Sequence, residues 1–159
     1  MNKIYLNEEL KLYYSDSTEK EIALMNIPIE LHQPLRSINN SENIRTLFSQ
    51  KAQKKYGIGQ LYSYLNIAYT LQIESTLLEE IIPALENEYR LKREIEFKYS
   101  IIQPYKQEIR EITEHNKGSE WLTNPEYFFI NQIKFELQKG DAQDHDKFWE
   151  GLTKRLSKL

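Results

Sequence analysis

From Ser41 onward the apolar positions recur at three- and four-residue intervals, and that spacing predicts helices. Ile44, Leu47, Phe48 and Ala52 lie on one stripe of a first helix, entered through the polar loop 37–43, "SINNSEN". Gly57 is a natural stop for it. Leu61, Tyr64, Leu65, Ala68 and Leu71 then mark a second helix over about 59–73. The segment 76–103 reads as one long helix: Leu78, Ile81, Ile82, Leu85 and Tyr89 form a stripe that Leu91, Ile95, Tyr99 and Ile102 continue one step round. Pro83 inside it calls for a kink or a restart. Glu86–Arg90, Glu88–Lys92 and Glu94–Lys98 have the spacing of i, i+4 ion pairs on an exposed helix face.

Further along, Pro104, Ile109 and Ile112 carry a helical turn to Asn116 and Gly118. Residues 126–138 contain both periods, because Ile133, Phe135 and Leu137 also alternate. The start signal Thr123-Asn124-Pro125-Glu126 favours helix there. A last helix over about 144–158 is marked by Phe148, Trp149, Leu152, Leu156 and Leu159. The first forty residues are less regular. Leu10, Leu12 and Tyr14 alternate at strand period within 3–14, Thr18 and Glu21 fit a capping box for a short helix over 18–26, and Pro28 and Pro34 keep the following stretch from forming a long helix. The pattern predicts a mainly α protein: a single domain with a compact bundle of five to seven helices over 41–159. An irregular N-terminal arm or lid, 1–40, packs on it, with room for one short β-hairpin.

Composition supports a packed core, with 159 residues of which 40% are hydrophobic and 28% charged. Only 5 Gly and 5 Pro serve turns, which favours long elements over many short strands. The lack of cysteine excludes disulfides, a thiol nucleophile and thiolate metal sites. Neither an apolar leader nor a membrane-length apolar run is visible, so a soluble, cytoplasmic protein is expected. The net charge of −3 supplies no general pull toward polyanions.

Candidate chemistry is sparse. Residues 52–66, "AQKKYGIGQLYSYLN", resemble the corner of a helix-turn-helix in vocabulary, with Lys51, Lys54 and Lys55 on one arc for phosphates and Tyr62 on the following helix. The register departs from that motif: Ala52 precedes Gly57 by five positions, and Gly59 and Ser63 stand where apolar residues belong. A degenerate helix-turn-helix over 44–73, binding DNA or RNA, is therefore the alternative function. His32, His115 and His145 show no metal-ligand spacing on one helix. "DAQDHD", 141–146, reads first as acidic residues complementing a helix start. Glu111, Glu114 and His115 form an isolated triplet, and no nucleophile elbow, phosphate loop or dinucleotide fingerprint occurs. No enzyme activity, cofactor or metal is expected.

Tyrosine is more distinctive, at 11 residues. Trp121, Tyr127, Phe128, Phe129, Tyr62 and Tyr69 are candidate anchors for a partner protein. Glu79, Glu80, Glu86 and Glu88 belong to an acidic helix, 79–96, able to imitate a run of phosphates. The expected function is non-catalytic protein binding, as an adaptor or an inhibitor. Immunity proteins and phage-encoded antagonists are analogues by class rather than by motif. Closure of a homodimer by aromatic patches is a second use of the same residues.

Overall fold

The computed structural model describes residues 4–5, 27–54, 59–102, 128–129 and 131–159. Its centre is an antiparallel four-stranded sheet rather than a bundle. In chain order the elements are β1 (Ile4–Tyr5), α1 (Ile29–Asn39), β2 (Ile44–Lys54), β3 (Leu61–Tyr69), a composite helical segment α2 (residues 71–89), β4 (Ile95–Ile102), β5 (Phe128–Phe129), β6 (Asn131–Lys139) and α3 (Ala142–Leu156). The sheet order is β2-β3-β6-β4, each neighbour antiparallel to the next. β3 and β4 therefore run parallel, with β6 between them and α2 as the crossover. β1 and β5 form a separate two-residue parallel ladder.

The expected bundle of five to seven helices is thus overturned, and with it the helices placed over 44–54, 59–69, 95–102 and 131–138. The reason is visible in β3 and β6. Ser63, Leu65, Ile67 and Tyr69 face one way, paired in the ladder with Leu137, Phe135, Ile133 and Asn131. All eight are buried. Their alternation is the period of a half-buried strand, and the β-branched and aromatic residues there favour extended backbone.

One core joins this face of the sheet to the three described helices. Leu31, Leu35 and Ile38 of α1, Leu77, Ile81, Ile82, Leu85 and Tyr89 of α2, and Phe148, Trp149, Leu152 and Leu156 of α3 belong to one buried cluster with Leu65, Ile67, Phe135 and Leu137. The helices therefore cover a single face. Pro34 sits inside α1, at a cost of about 3 kcal/mol for an interior proline. Three fully buried aliphatic side chains, each contributing roughly 1.5–3 kcal/mol, outweigh it.

In α2 the ring of Pro83 is accommodated by a wide turn, Leu77–Ile81, where the Ile82 N–H reaches back to the Leu77 carbonyl. The helix is deflected around the missing N–H rather than broken. It ends at Tyr89, and members of two of the three predicted i, i+4 pairs have other partners: Glu88 pairs with Arg155, Lys92 with Asp144 at 3.4 Å, and Lys98 with Glu96 at 3.0 Å. α3 forms where the 3/4 spacing placed it. Asp141 and Asp144 close a reciprocal capping box at its start.

Candidate functional site

The face of the sheet turned away from the helices carries a polar and aromatic lattice. Along β3 the outward residues are Tyr62, Tyr64 and Asn66, opposite Gln138, Glu136 and Lys134 of β6. Gln50 lies opposite Tyr64 on the other side, and Lys98 and Ser100 lie opposite Glu136 and Lys134. The rings of Tyr62 and Tyr64 are 5.4 Å apart between centroids, tilted by 41°. The Lys134 ammonium stands 4.8 Å from the Tyr64 centroid and 5.8 Å from that of Tyr62, close enough for cation–π attraction. The Tyr62 hydroxyl donates to Glu136 Oε1, and Lys134 Nζ lies 3.3 Å from the same carboxylate.

These contacts fix the protonation states. Burial raises the Tyr62 hydroxyl above its ordinary value, and its bond to the Glu136 carboxylate raises it further, only partly countered by Lys134. Burial pulls the Lys134 ammonium down, but its contacts with Tyr62 and Glu136 outweigh this and hold it above the usual lysine range. At neutral pH the patch carries a neutral phenol, a cation and an anion in mutual contact. It is amphipathic, with the Lys134 and Glu136 charges in contact and two half-buried aromatic surfaces. The face is closed at its other end, where Arg45 and Ala68 are fully buried.

A second polar cluster lies on the helix-covered side. Ser63 Oγ and His145 Nδ1 are 2.6 Å apart, and His145 Nε2 is 2.6 Å from the Lys139 carbonyl. A carbonyl only accepts, so Nε2 carries a proton and donates to it. Ser63 Oγ in turn accepts the Ala52 N–H at 2.8 Å. A serine bonded to a histidine has the parts of a nucleophile and its base, but the surroundings differ from that arrangement. Both side chains are 0% exposed, and the far nitrogen meets a backbone carbonyl rather than a carboxylate. The network ties α3 and the end of β6 to Ala52, which has φ 48 within a bulge of β2.

The residues singled out in the sequence are dispersed. Trp121, Tyr127 and Lys55 lie outside the described residues, as do Gly57, the helix predicted over 18–26, and the triplet of Glu111, Glu114 and His115. Phe128 and Phe129 form β5, and Lys54 ends β2. Tyr69 is a core residue at 0% exposure and is not available as a surface anchor. Of the aromatic set with described side chains, Tyr62 alone is on the outer face, and Tyr64, taken for a core position on a helix, joins it.

The acidic set is exposed but divided. Glu86 borders a groove beside β4, Glu88 pairs with Arg155, and Glu80 borders a depression shared with Lys154, Arg155 and Lys158. Glu96 lies on a strand. No phosphate-like run results. The helix-turn-helix is also overturned: 44–54 and 61–69 are paired strands, and Lys51 holds Asp146 at 2.9 Å. Asp141, Asp144, His145 and Asp146 serve separate partners, and among the described residues no three His, Asp or Glu side chains gather as metal ligands. No described helix is long and apolar enough to cross a membrane. Neither a family model, a curated protein nor a solved structure matches the chain.

Proposed function

We propose that this chain is a non-catalytic protein-binding module that meets its partner through the face of the sheet turned away from the described helices. The observation that carries this reading is the Tyr62–Tyr64 pair on a central strand, braced by Lys134 and Glu136. Tyrosines immobilised before binding lose little further entropy on contact, and their rings offer apolar area with a polar tip. The balanced charge of the patch suits a protein surface better than a nucleic acid, since Lys134 already shares its charge with Glu136. The analogy with small helical inhibitors loses its footing with the bundle, so no partner class narrower than protein is proposed. The proposal includes a cytoplasmic setting, with which a cysteine-free chain is compatible.

The test is affinity capture from the native host with wild type, Tyr64→Ala and Lys134→Glu as parallel baits, followed by titration of the purified captured protein. Both variants are expected to weaken binding by at least about tenfold, the scale of a lost aromatic or charged anchor, with circular dichroism unchanged. Glu79→Gln is expected to bind as wild type does. Equal binding by wild type, Tyr64→Ala and Lys134→Glu would refute the proposal. Binding of a single-stranded oligonucleotide that weakens steeply with salt and is lost in Lys134→Glu would replace it by a nucleic-acid function.

A further inference from the structure

The two edges of the sheet are treated differently. On β2, groups at the edge are taken up within the chain. The Thr46 N–H bonds Asn39 Oδ1 at 2.8 Å, and α1 and α3 both pack against the strand. Two bulges interrupt its ladder. These are ordinary means of keeping a strand edge from pairing with another chain.

Among the described residues, β4 has none of them. Its register with β6 runs without a bulge from Ile95↔Lys139 to Ile102↔Gln132. The Gly140 N–H bonds the Glu94 carbonyl, which sets the phase of the ladder. In an antiparallel pair alternate residues bond the neighbour, so Glu96, Lys98, Ser100 and Ile102 turn their backbone groups toward β6. Ile95, Phe97, Tyr99 and Ile101 turn theirs outward, and among the described residues nothing pairs with them. Beside this edge α2 stands off, leaving an open groove of about 630 Å³ between Pro83, Glu86 and Arg90 on one side and Phe97 and Tyr99 on the other. Tyr99 is 41% exposed and Ile102 58%, high for apolar residues on a strand.

We propose that β4 is a self-association edge, paired antiparallel with β4 of a second copy about a two-fold axis at Phe97. The occupant follows from the charge order of the strand. Only registers that set an outward-bonding residue opposite another align the free N–H and C=O groups. A two-fold at Lys98 would place Lys98 against Lys98, and one at Glu96 would place Glu96 against Glu96; like charges directly opposite are destabilising. A two-fold at Tyr99 would leave Lys98 against Ser100 and Glu96 against Ile102. The two-fold at Phe97 sets Glu96 opposite Lys98 twice, Phe97 opposite Phe97 and Ile95 opposite Tyr99. About six backbone hydrogen bonds form across Ile95 to Tyr99 alone, and the apolar side chains of one copy reach the groove of the other. The two sheets become continuous, and the Tyr62–Tyr64 faces remain outside the contact. The pairing does not depend on what those faces bind.

The experiment is sedimentation equilibrium of the full chain over a concentration series, with four variants. Wild type is expected to dimerise. Lys98→Glu and Glu96→Lys each create two like-charge pairs and are expected to weaken the dimer by roughly tenfold or more. Combining them, Glu96→Lys with Lys98→Glu, reverses both partners and is expected to restore wild-type association. Tyr99→Pro removes one outward N–H without touching the bonds to β6, and is expected to give monomer with an unchanged circular dichroism spectrum. Should Tyr99→Pro fail to fold, the charge-swap series decides alone. A monomeric wild type at every concentration would overturn the proposal. So would a dimer indifferent to the single charge reversals, or a double reversal that fails to rescue them.

Discussion

The Tyr69 hydroxyl is buried and has no hydrogen-bond partner, in contrast to Ser63 and His145, whose polar atoms are engaged. An unpartnered buried hydroxyl costs roughly 1–3 kcal/mol, and removing it while keeping the ring leaves the packing intact. Tyr69→Phe is therefore expected to stabilise the fold by about 1 kcal/mol, read as a higher denaturant midpoint at unchanged slope. A lower midpoint would mean that the hydroxyl makes a favourable contact. Residue type could not separate Tyr69 from Tyr62 as candidate anchors. What separates them is parity along β3, since Tyr62 and Tyr64 point one way and Ser63, Leu65, Ile67 and Tyr69 the other. That parity is written in the sequence, but it acquires meaning only once the segment is known to be extended. The Ser63–His145 contact left no such trace, because its members are 82 positions apart and meet only through packing of α3 on the sheet.

Among the elements, the two β2 bulges explain why strands looked like helices. Each inserts one residue, between Thr46 and Phe48 and between Gln50 and Gln53. Ile44 and Thr46 face the helices before the first bulge and Ser49 after it, so the spacing loses its period of two and acquires threes. In β4 the helical stripe through Ile95, Tyr99 and Ile102 coexists with the alternation of Ile95, Phe97, Tyr99 and Ile101; residues with a preference for extended backbone decided it. The scarcity of Gly and Pro was correctly a sign of long elements, but strands of eight to eleven residues meet it as well as helices do. α3 was legible because its apolar stripe and its acidic start agree. Its cap is testable. The Asp141 N–H bonded to the Asp144 carboxylate holds that group below its ordinary value; burial opposes this and Lys92 assists. A depressed carboxylate stabilises the fold above its unfolded pKa, and that contribution is lost as pH falls through the folded value. Asp144→Ala is expected to lower Tm by about 2–4 °C at neutral pH, with the gap to wild type narrowing in acid. A gap constant from neutral to strongly acid pH would show that the charge contributes nothing.

For the molecule as a whole, the sheet has three distinct surfaces: one face builds the core, the other presents the tyrosine patch, and the β4 edge turns backbone groups outward. Because α1, α2, α3 and the inner face share one cluster, loss of any part exposes the rest, and a titration inside the core reports on the entire fold. Tyr69 on β3 and Tyr89 at the end of α2 supply such titrations. Burial pushes both hydroxyls up to about 12, helped by the nearby Glu74 and Glu88 carboxylates respectively. An acid whose folded pKa exceeds its unfolded value keeps its proton longer when folded, so its contribution is complete below the unfolded value of 10.0 and declines as pH rises toward about 12. The denaturant midpoint is therefore expected to fall across that window, with phenolate absorbance from the last tyrosines appearing together with loss of circular dichroism. Lysine deprotonation contributes to any alkaline transition, and the variant Tyr69→Phe with Tyr89→Phe isolates the phenols. Its midpoint should decline less steeply than that of wild type over the same pH interval. Parallel declines would place the alkaline sensitivity outside these two phenols.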